Sequence, residues 1–235
     1  VRLDIISTGE EAALAFRGCQ PLLDRHRPFA IVFDIGGGST ELGWLRFRPN
    51  QPPEMVAWHS VPLGVVSMTE RFGTEPKPDE DAASFYGRMV DVVADHLEPL
   101  QRAISANRAI GAGEVQMLGT SGTVTTLAGI HLGLSRYDRN QVDGSHLDFA
   151  DIERISADIA RRNVAGRAEI ACIGMERADL VLSGCAILSA ICRLWPVGRL
   201  RVADRGVREG ILMSLMNGPA RNAALDAPVT APLPA

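Results

Sequence analysis

The stretch Phe29–Phe47, FAIVFDIGGGSTELGWLRF, decides how this chain is read. An apolar run from Ala30 to Phe33 ends in Asp34, the glycines Gly36, Gly37 and Gly38 follow, and Ser39, Thr40 and Glu41 come next. A second apolar run, Leu42 to Phe47, leads away. Apolar runs flanking a glycine turn predict two strands, with Asp34 at the end of the first. Glycine backbone can take positive φ and bring its N–H groups close to an anion. Ser39 and Thr40 add hydroxyl donors. The carboxylates of Asp34 and Glu41 would repel a phosphate unless a cation lay between them, so the combination points to a metal-bound phosphate. Taken alone, the pattern also describes an ordinary glycine hairpin carrying polar residues. A Walker A loop is excluded, because it needs a Lys where this chain has Ser39. A dinucleotide fingerprint is excluded too, because position 41 is Glu and the run after it is strand-like.

The chain has 235 residues, enough for one large domain or two small ones. Its 46% hydrophobic and 22% charged residues are ordinary for a globular protein. A formal net charge of -4 argues against a general nucleic-acid binder, so no DNA partner is expected. No apolar run approaches the roughly 18 residues of a membrane span, and no secretory signal is evident, which predicts a cytoplasmic protein. Cys19, Cys172, Cys185 and Cys192 lack paired CxxC spacing, and Cys185 and Cys192, seven apart on one apolar helix-like run, read as core thiols. The five histidines show no HxxH or HExxH pairing and are assigned no metal or catalytic role. The chain opens on Val1 in an apolar–polar run, which predicts that it continues a longer protein.

Outward from the central hairpin, Val1–Ile6 predicts a short strand. Ser7 or Thr8 then caps a helix with Glu10 and Glu11 in its first turn, where carboxylates favour the helix dipole. Met55–Val66 predicts a third strand running into a Pro-Leu-Gly turn. Asp79 or Asp81 caps a long helix that Pro99 kinks or divides. In Gln116–Gly133, QMLGTSGTVTTLAGIHLG, a strand ends at Leu118, GTSG turns the chain, and a helix starts near Thr123. Such a helix start is a suitable anion site, and it also reads as a simple capped helix. Asp148–Asn163 is amphipathic, with Arg154, Arg161 and Arg162 on a solvated face. Met175–Trp195 predicts an apolar helix with Arg177 and Asp179 at its start. Leu200–Ala203 is a strand, Asp204–Gly206 turns, and Val207–Met216 is a helix. Pro and Ala dominate 219–235, which reads as a disordered tail.

The order GEEA, DIGGGSTEL, PLG, GTSGT and DRGVREGIL resembles the exopolyphosphatase and guanosine pentaphosphate phosphohydrolase family, Ppx/GppA, up to about Met216. The resemblance implies an α/β protein of the actin-like ATPase (ribonuclease H-like) fold, a mixed sheet with flanking helices. It divides the chain into 1–27, the end of a first domain and the crossover from it; 28–218, a second actin-like domain; and the tail. The family's DxGSxS-bearing amino-terminal domain is then missing here, and so is the HD domain of its longer members. The resemblance further implies a divalent cation, Mg²⁺ or another, placed by Asp34 and Glu41. Phosphate would be bound by Gly36, Gly37, Gly38 and Ser39, and by Gly119, Thr120, Ser121 and Gly122. Glu11 becomes the general base. The expected activity is release of terminal phosphate from polyphosphate or pppGpp, in keeping with a part in the stringent response. A sensor that binds guanosine penta- or tetraphosphate without hydrolysis is the alternative. A kinase of the same fold group is the third class, and nothing in the sequence demands its acceptor pocket. Dimers are common in the family, so a homodimer is an assembly to be tested.

Overall fold

The computed structural model describes residues 6–217. The predicted 219–235 tail lies outside the described residues, as do the first five residues of the predicted Val1–Ile6 strand. In chain order the elements are α1 (Thr8–Cys19), a 3-10 turn (Gln20–Leu22), β1 (Phe29–Ile35), β2 (Thr40–Arg46), β3 (Glu54–Val61), α2 (Val65–Phe72), α3 (Ala82–Ile104), α4 (Asn107–Gly111), β4 (Val115–Thr120), α5 (Gly122–His131), α6 (Arg139–Val142), β5 (His146–Asp148), α7 (Phe149–Arg161), α8 (Val164–Ala168), α9 (Val181–Leu194), β6 (Arg199–Ala203) and α10 (Val207–Asn217).

One six-stranded mixed sheet runs in the order β3-β2-β1-β4-β6-β5. The meander β1-β2-β3 is antiparallel, β1, β4 and β6 are mutually parallel, and β5 is antiparallel to β6. Both faces are covered, which is why β1 reads as an unbroken apolar run. Ile31, Phe33 and Ile35 point into the larger core with residues of α3, α5, α7 and α9. Ala30 and Val32 point the other way, against Ala12, Phe16 and Cys19 of α1.

The second face depends on missing side chains. A Cβ on Gly43 would lie 2.5 Å from the Phe16 ring, so only glycine lets that ring rest on β2. Helices α1 and α10 meet almost backbone to backbone. A Cβ on Gly210 would fall 1.9 Å from the Leu14 carbonyl oxygen, and one on Gly18 would fall 2.3 Å from the Gly206 carbonyl oxygen.

Several expectations change. α3 runs unbroken through Pro99. The third strand, expected over Met55–Val66, ends at Val61, and the Pro-Leu-Gly turn is followed at once by α2, which takes Val65 and Val66. α9 begins at Val181 rather than Met175, and Gly174, at φ +68°, sits in the turn before it. Arg154, Arg161 and Arg162 do pair with Asp151 and Asp158 on their own helix, as a solvated face should. Arg167 is instead fully buried, donating to the carbonyls of Ile159 (3.1 Å) and Thr74 (2.7 Å). All four cysteines are free, and burial pushes the Cys19 and Cys185 thiols up to about 12, as inert core thiols require. Among the described residues no helix is long and apolar enough to cross a membrane.

Gly210→Ala is expected to cost about 1–3 kcal/mol of stability through overpacking against Leu14. Gly38→Ala, whose Cβ would meet nothing within 4 Å, should be close to neutral. Urea unfolding checks this as a lower midpoint at unchanged slope for the first variant only.

Candidate active site

The carboxyl ends of the parallel strands line up at one edge, the customary ligand-binding edge of such sheets. Asp34 of β1 pairs with Thr120 of β4, and Thr120 pairs with Ala203 of β6. Each strand then turns: at Gly36–Ser39, at Ser121, and at Asp204–Gly206. All three turns suggested by the sequence therefore converge.

The glycine turn closes by a hydrogen bond from the Gly36 N–H to the Ser39 carbonyl at 2.9 Å. None of its glycines takes positive φ, so conformational freedom does not account for them. Close approach explains them better. Gly64, of the Pro-Leu-Gly turn, sits where a Cβ would lie 2.4 Å from the Gly37 carbonyl carbon. The N–H groups of Val65 and Val66 then donate to the Gly36 and Gly37 carbonyls at 3.0 and 2.8 Å. Carbonyls held on one side leave the turn fixed, while Gly37 and Gly38 stay exposed.

The strand register sets Asp34 directly opposite Glu41. Like charges so placed repel. Glu41 is only 6% exposed, and its Oε1 accepts hydrogen bonds from the hydroxyls of Ser39 (2.6 Å) and Ser60 (2.9 Å). None of the described residues donates to its Oε2 or to the Asp34 carboxyl. Burial, then the charge of Glu41, then that of Glu11, raise Asp34 to about 7. Glu11 therefore belongs to the same electrostatic neighbourhood. The two glutamates of α1 divide their work. Glu10 forms a capping box with Ser7, whose backbone N–H donates to Glu10 Oε2 at 2.8 Å while the Glu10 N–H donates to Ser7 Oγ at 3.3 Å. Glu11 is exposed and takes no part in that cap.

At the second turn the four predicted residues separate. Gly119 is a packing residue, since a Cβ there would lie 2.3 Å from the Phe33 ring. The Thr120 hydroxyl donates to the Arg205 carbonyl at 2.6 Å and so ties the second turn to the third. Ser121 caps α5, its Oγ accepting from the Val124 N–H at 3.0 Å. Gly122 opens onto a cavity of about 200 Å³ lined also by Gly36, Gly37, Thr126 and Arg177. Arg177 was expected to serve the start of a helix. It lies ahead of α9, and its Nη1 donates to Thr126 Oγ1 at 3.1 Å. It also lines a second cavity of about 360 Å³, with Ser121, Tyr137, Asp204 and Arg208. The sequence signal that was available is Gly174, whose turn keeps Arg177 out of the helix and brings it back to the sheet edge.

The third turn is braced by ion pairs. Arg205 pairs with Asp143 at 2.7 Å and Arg139 with Glu209 at 2.9 Å, and the Tyr137 hydroxyl donates to Asp204. Arg208 is exposed at the cavity rim. No histidine lines either cavity.

A mixed sheet with flanking helices, its glycine turn facing a helix start across a cleft at one edge, defines a protein of the actin-like ATPase fold. The profile of the Ppx/GppA phosphatase family matches residues 1–218, and the chain belongs to that family. It is 28% identical to exopolyphosphatase 2 of Mycobacterium tuberculosis over 216 residues, which is 90% of this chain and 63% of that protein. A bifunctional 3-dehydroquinate synthase/phosphatase of Fusobacterium nucleatum is 27% identical over 81% of this chain and 27% of its own length. Among solved structures, an exopolyphosphatase-like protein superposes with a TM-score of 0.73 at 28% identity, covering 92% of this chain and 69% of that one. The Ppx/GppA family member of Aquifex aeolicus shares the fold with a TM-score of 0.74 at 23% identity, over 92% of this chain and 65% of its own.

A divalent cation fits the donor set at the hairpin. Asp34 and Glu41 Oε2 have no hydrogen-bond donor among the described residues, and their repulsion is relieved by a positive charge between them. No three His, Cys, Asp or Glu side chains converge to enclose a metal among those residues. Such a cation would keep water or phosphate oxygens in its remaining positions, as Mg²⁺ does.

A folded-state acidity near 7 means that the folded chain holds a proton on Asp34 which the unfolded chain has lost above its ordinary value of 3.8. Stability from this group therefore falls as pH rises from about 4 to 7. Asp34→Asn should be more stable than the wild type at pH 8, by on the order of 1 kcal/mol, and should show no such gain at pH 4. MgCl₂ should raise the melting temperature of the wild type more at pH 8 than at pH 6, and that of Asp34→Asn at neither.

Proposed function

We propose that the chain forms part of a Mg²⁺-dependent phosphoanhydride hydrolase that releases terminal phosphate from inorganic polyphosphate or pppGpp. The observation that carries this reading is the position of Glu11. It is exposed, free of the capping box, and close enough to Asp34 to perturb it. The relatives named for exopolyphosphatase activity support polyphosphate, and the chain spans about two thirds of their length.

In this reading a water oxygen attacks the terminal phosphorus while Glu11 accepts one of its protons. The anhydride P–O bond breaks, and its electron pair stays with the departing phosphate oxygen. The turn at Gly37 and Gly38, the start of α5 at Gly122 and the guanidinium of Arg177 would hold phosphoryl oxygens. Phosphoryl transfer asks chiefly for such positioning and neutralisation of charge. The cation, held by Asp34 and Glu41 directly or through water, would supply Lewis-acid stabilisation of the same oxygens. The serines on Glu41 keep its Oε2 turned free for that task.

Glu11→Gln should lower kcat by about 10²–10⁴-fold while leaving substrate binding nearly unchanged. Glu10→Gln keeps a capping-box side chain at that position, so it should change stability little and keep its turnover. Phosphate release with Mg²⁺, measured in parallel on polyphosphate and pppGpp with this chain and with an upstream-extended form, tests both. Turnover unaltered in Glu11→Gln rejects the base. Binding of guanosine penta- or tetraphosphate without release in either form would mark a sensor.

A further inference from the structure

At the opposite end of the sheet, where β4 and β6 begin, lies a cavity of about 230 Å³ lined by Arg27, Arg199, Arg201, His146, Gln116 and Asp24. It is built by the fold. The Gln116 amide clamps the backbone of Asp24 at both ends, accepting from its N–H at 2.8 Å and donating to its carbonyl at 2.7 Å. This pins the segment 24–27 over the strand starts. The pairing of His146 with Arg201 and of Asp148 with Arg199 brings β5 in from the other side.

The cations of this cavity are unevenly neutralised. Arg199 pairs with Asp148 at 3.2 Å, and both are well exposed. Arg27 donates to the Gly113 and Val115 carbonyls, and Arg201 donates through Nη1 to the Leu22 carbonyl at 2.7 Å. Neither forms an ion pair among the described residues. The Nε–H of Arg201 is buried without any hydrogen-bond partner. Asp24 is the one carboxylate lining the cavity, and its Oδ1 accepts from the His26 N–H at 2.9 Å. A buried guanidinium N–H with no acceptor is costly, and an anion that enters is worth more to it than to a solvated charge.

We propose that this cavity binds a tetrahedral oxyanion, inorganic phosphate or the terminal phosphate of a polyphosphate, between Arg27 and Arg201. The inference stands on this cavity alone and does not require the hydrolase reading. The site lies at the far end of the sheet from the glycine turn, so its occupancy is separable from events at Glu11 and Asp34. His146 supplies a local probe. Burial, then Arg199 and Arg201, hold its imidazole below the usual histidine range, while Asp148 acts in the opposite sense. An anion seated on Arg201 would offset that field and raise it.

The test is proton NMR of the imidazole resonances of the intact chain, titrated with sodium phosphate, with tripolyphosphate, and with sodium chloride at matched ionic strength. His146 is identified by its loss in His146→Gln, and His96 and His131 serve as remote controls. We expect a saturable shift of His146 in the millimolar range with phosphate but not chloride, and a rise in its apparent pKa. A stronger response to tripolyphosphate would identify a chain end as occupant, and an equal or weaker one the free ion. Arg27→Gln, at an exposed position, should weaken binding about tenfold, the worth of one hydrogen bond to a charged group. Arg201→Lys should weaken it as well and removes the orphaned Nε–H. The proposal is overturned if His146 responds equally to chloride, if it does not respond at all, or if Arg27→Gln binds phosphate as the wild type does.

Discussion

The repulsion between Asp34 and Glu41 is the constraint around which this edge of the sheet is arranged. Antiparallel pairing of β1 and β2 sets the two carboxylates directly opposite each other across the strand pair. The fold answers with two serine hydroxyls on one oxygen of Glu41 and with a proton held on Asp34 to about pH 7. Both answers leave a place for a cation. The strain is therefore stored in the part of the molecule that the proposed chemistry would use.

Around that pair, three strand ends reach the edge with different kinds of turn. The first is held by another turn, since Gly64 lies against Gly37 with no room for a side chain. The second is a capped helix start, and the third is tied to it by the Thr120 hydroxyl on the Arg205 carbonyl. Arg177 crosses from the loop before α9 and borders both cavities. The cleft so formed has a carboxylate side and a cationic side, which is the division of charge that a metal-bound phosphate requires.

Much of this was legible in order along the chain. The hairpin, the GTSG turn and the DRG turn were each visible because glycine and polar residues interrupt apolar runs. The division of labour between Glu10 and Glu11 was not. Spacing puts both in the first turn of α1, and only the capping geometry shows which one is spent on the helix. Gly119 and Thr120 misled for a similar reason, since a small residue at a turn serves packing as readily as a ligand. Phe33 lies outside the motif, and nothing local to GTSG records it. Arg177 and Arg167 were missed because their surroundings come from distant parts of the chain. One reaches the cleft, although the sequence placed it only at the start of a helix, and the other is sealed in the core.

The contact of α1 with α10 has a mechanical meaning. Side chains between two helices act as a compliant layer that can change rotamer and absorb a displacement. Where Gly210 meets Leu14 and Gly18 meets Gly206, that layer is absent. The helix bearing Glu11 and the helix that begins at the third turn are thus geared together without backlash. A shift at Asp204–Glu209 would arrive at Glu11 undamped, so the carboxylate facing the hairpin is positioned as much by the last helix of the described chain as by its own.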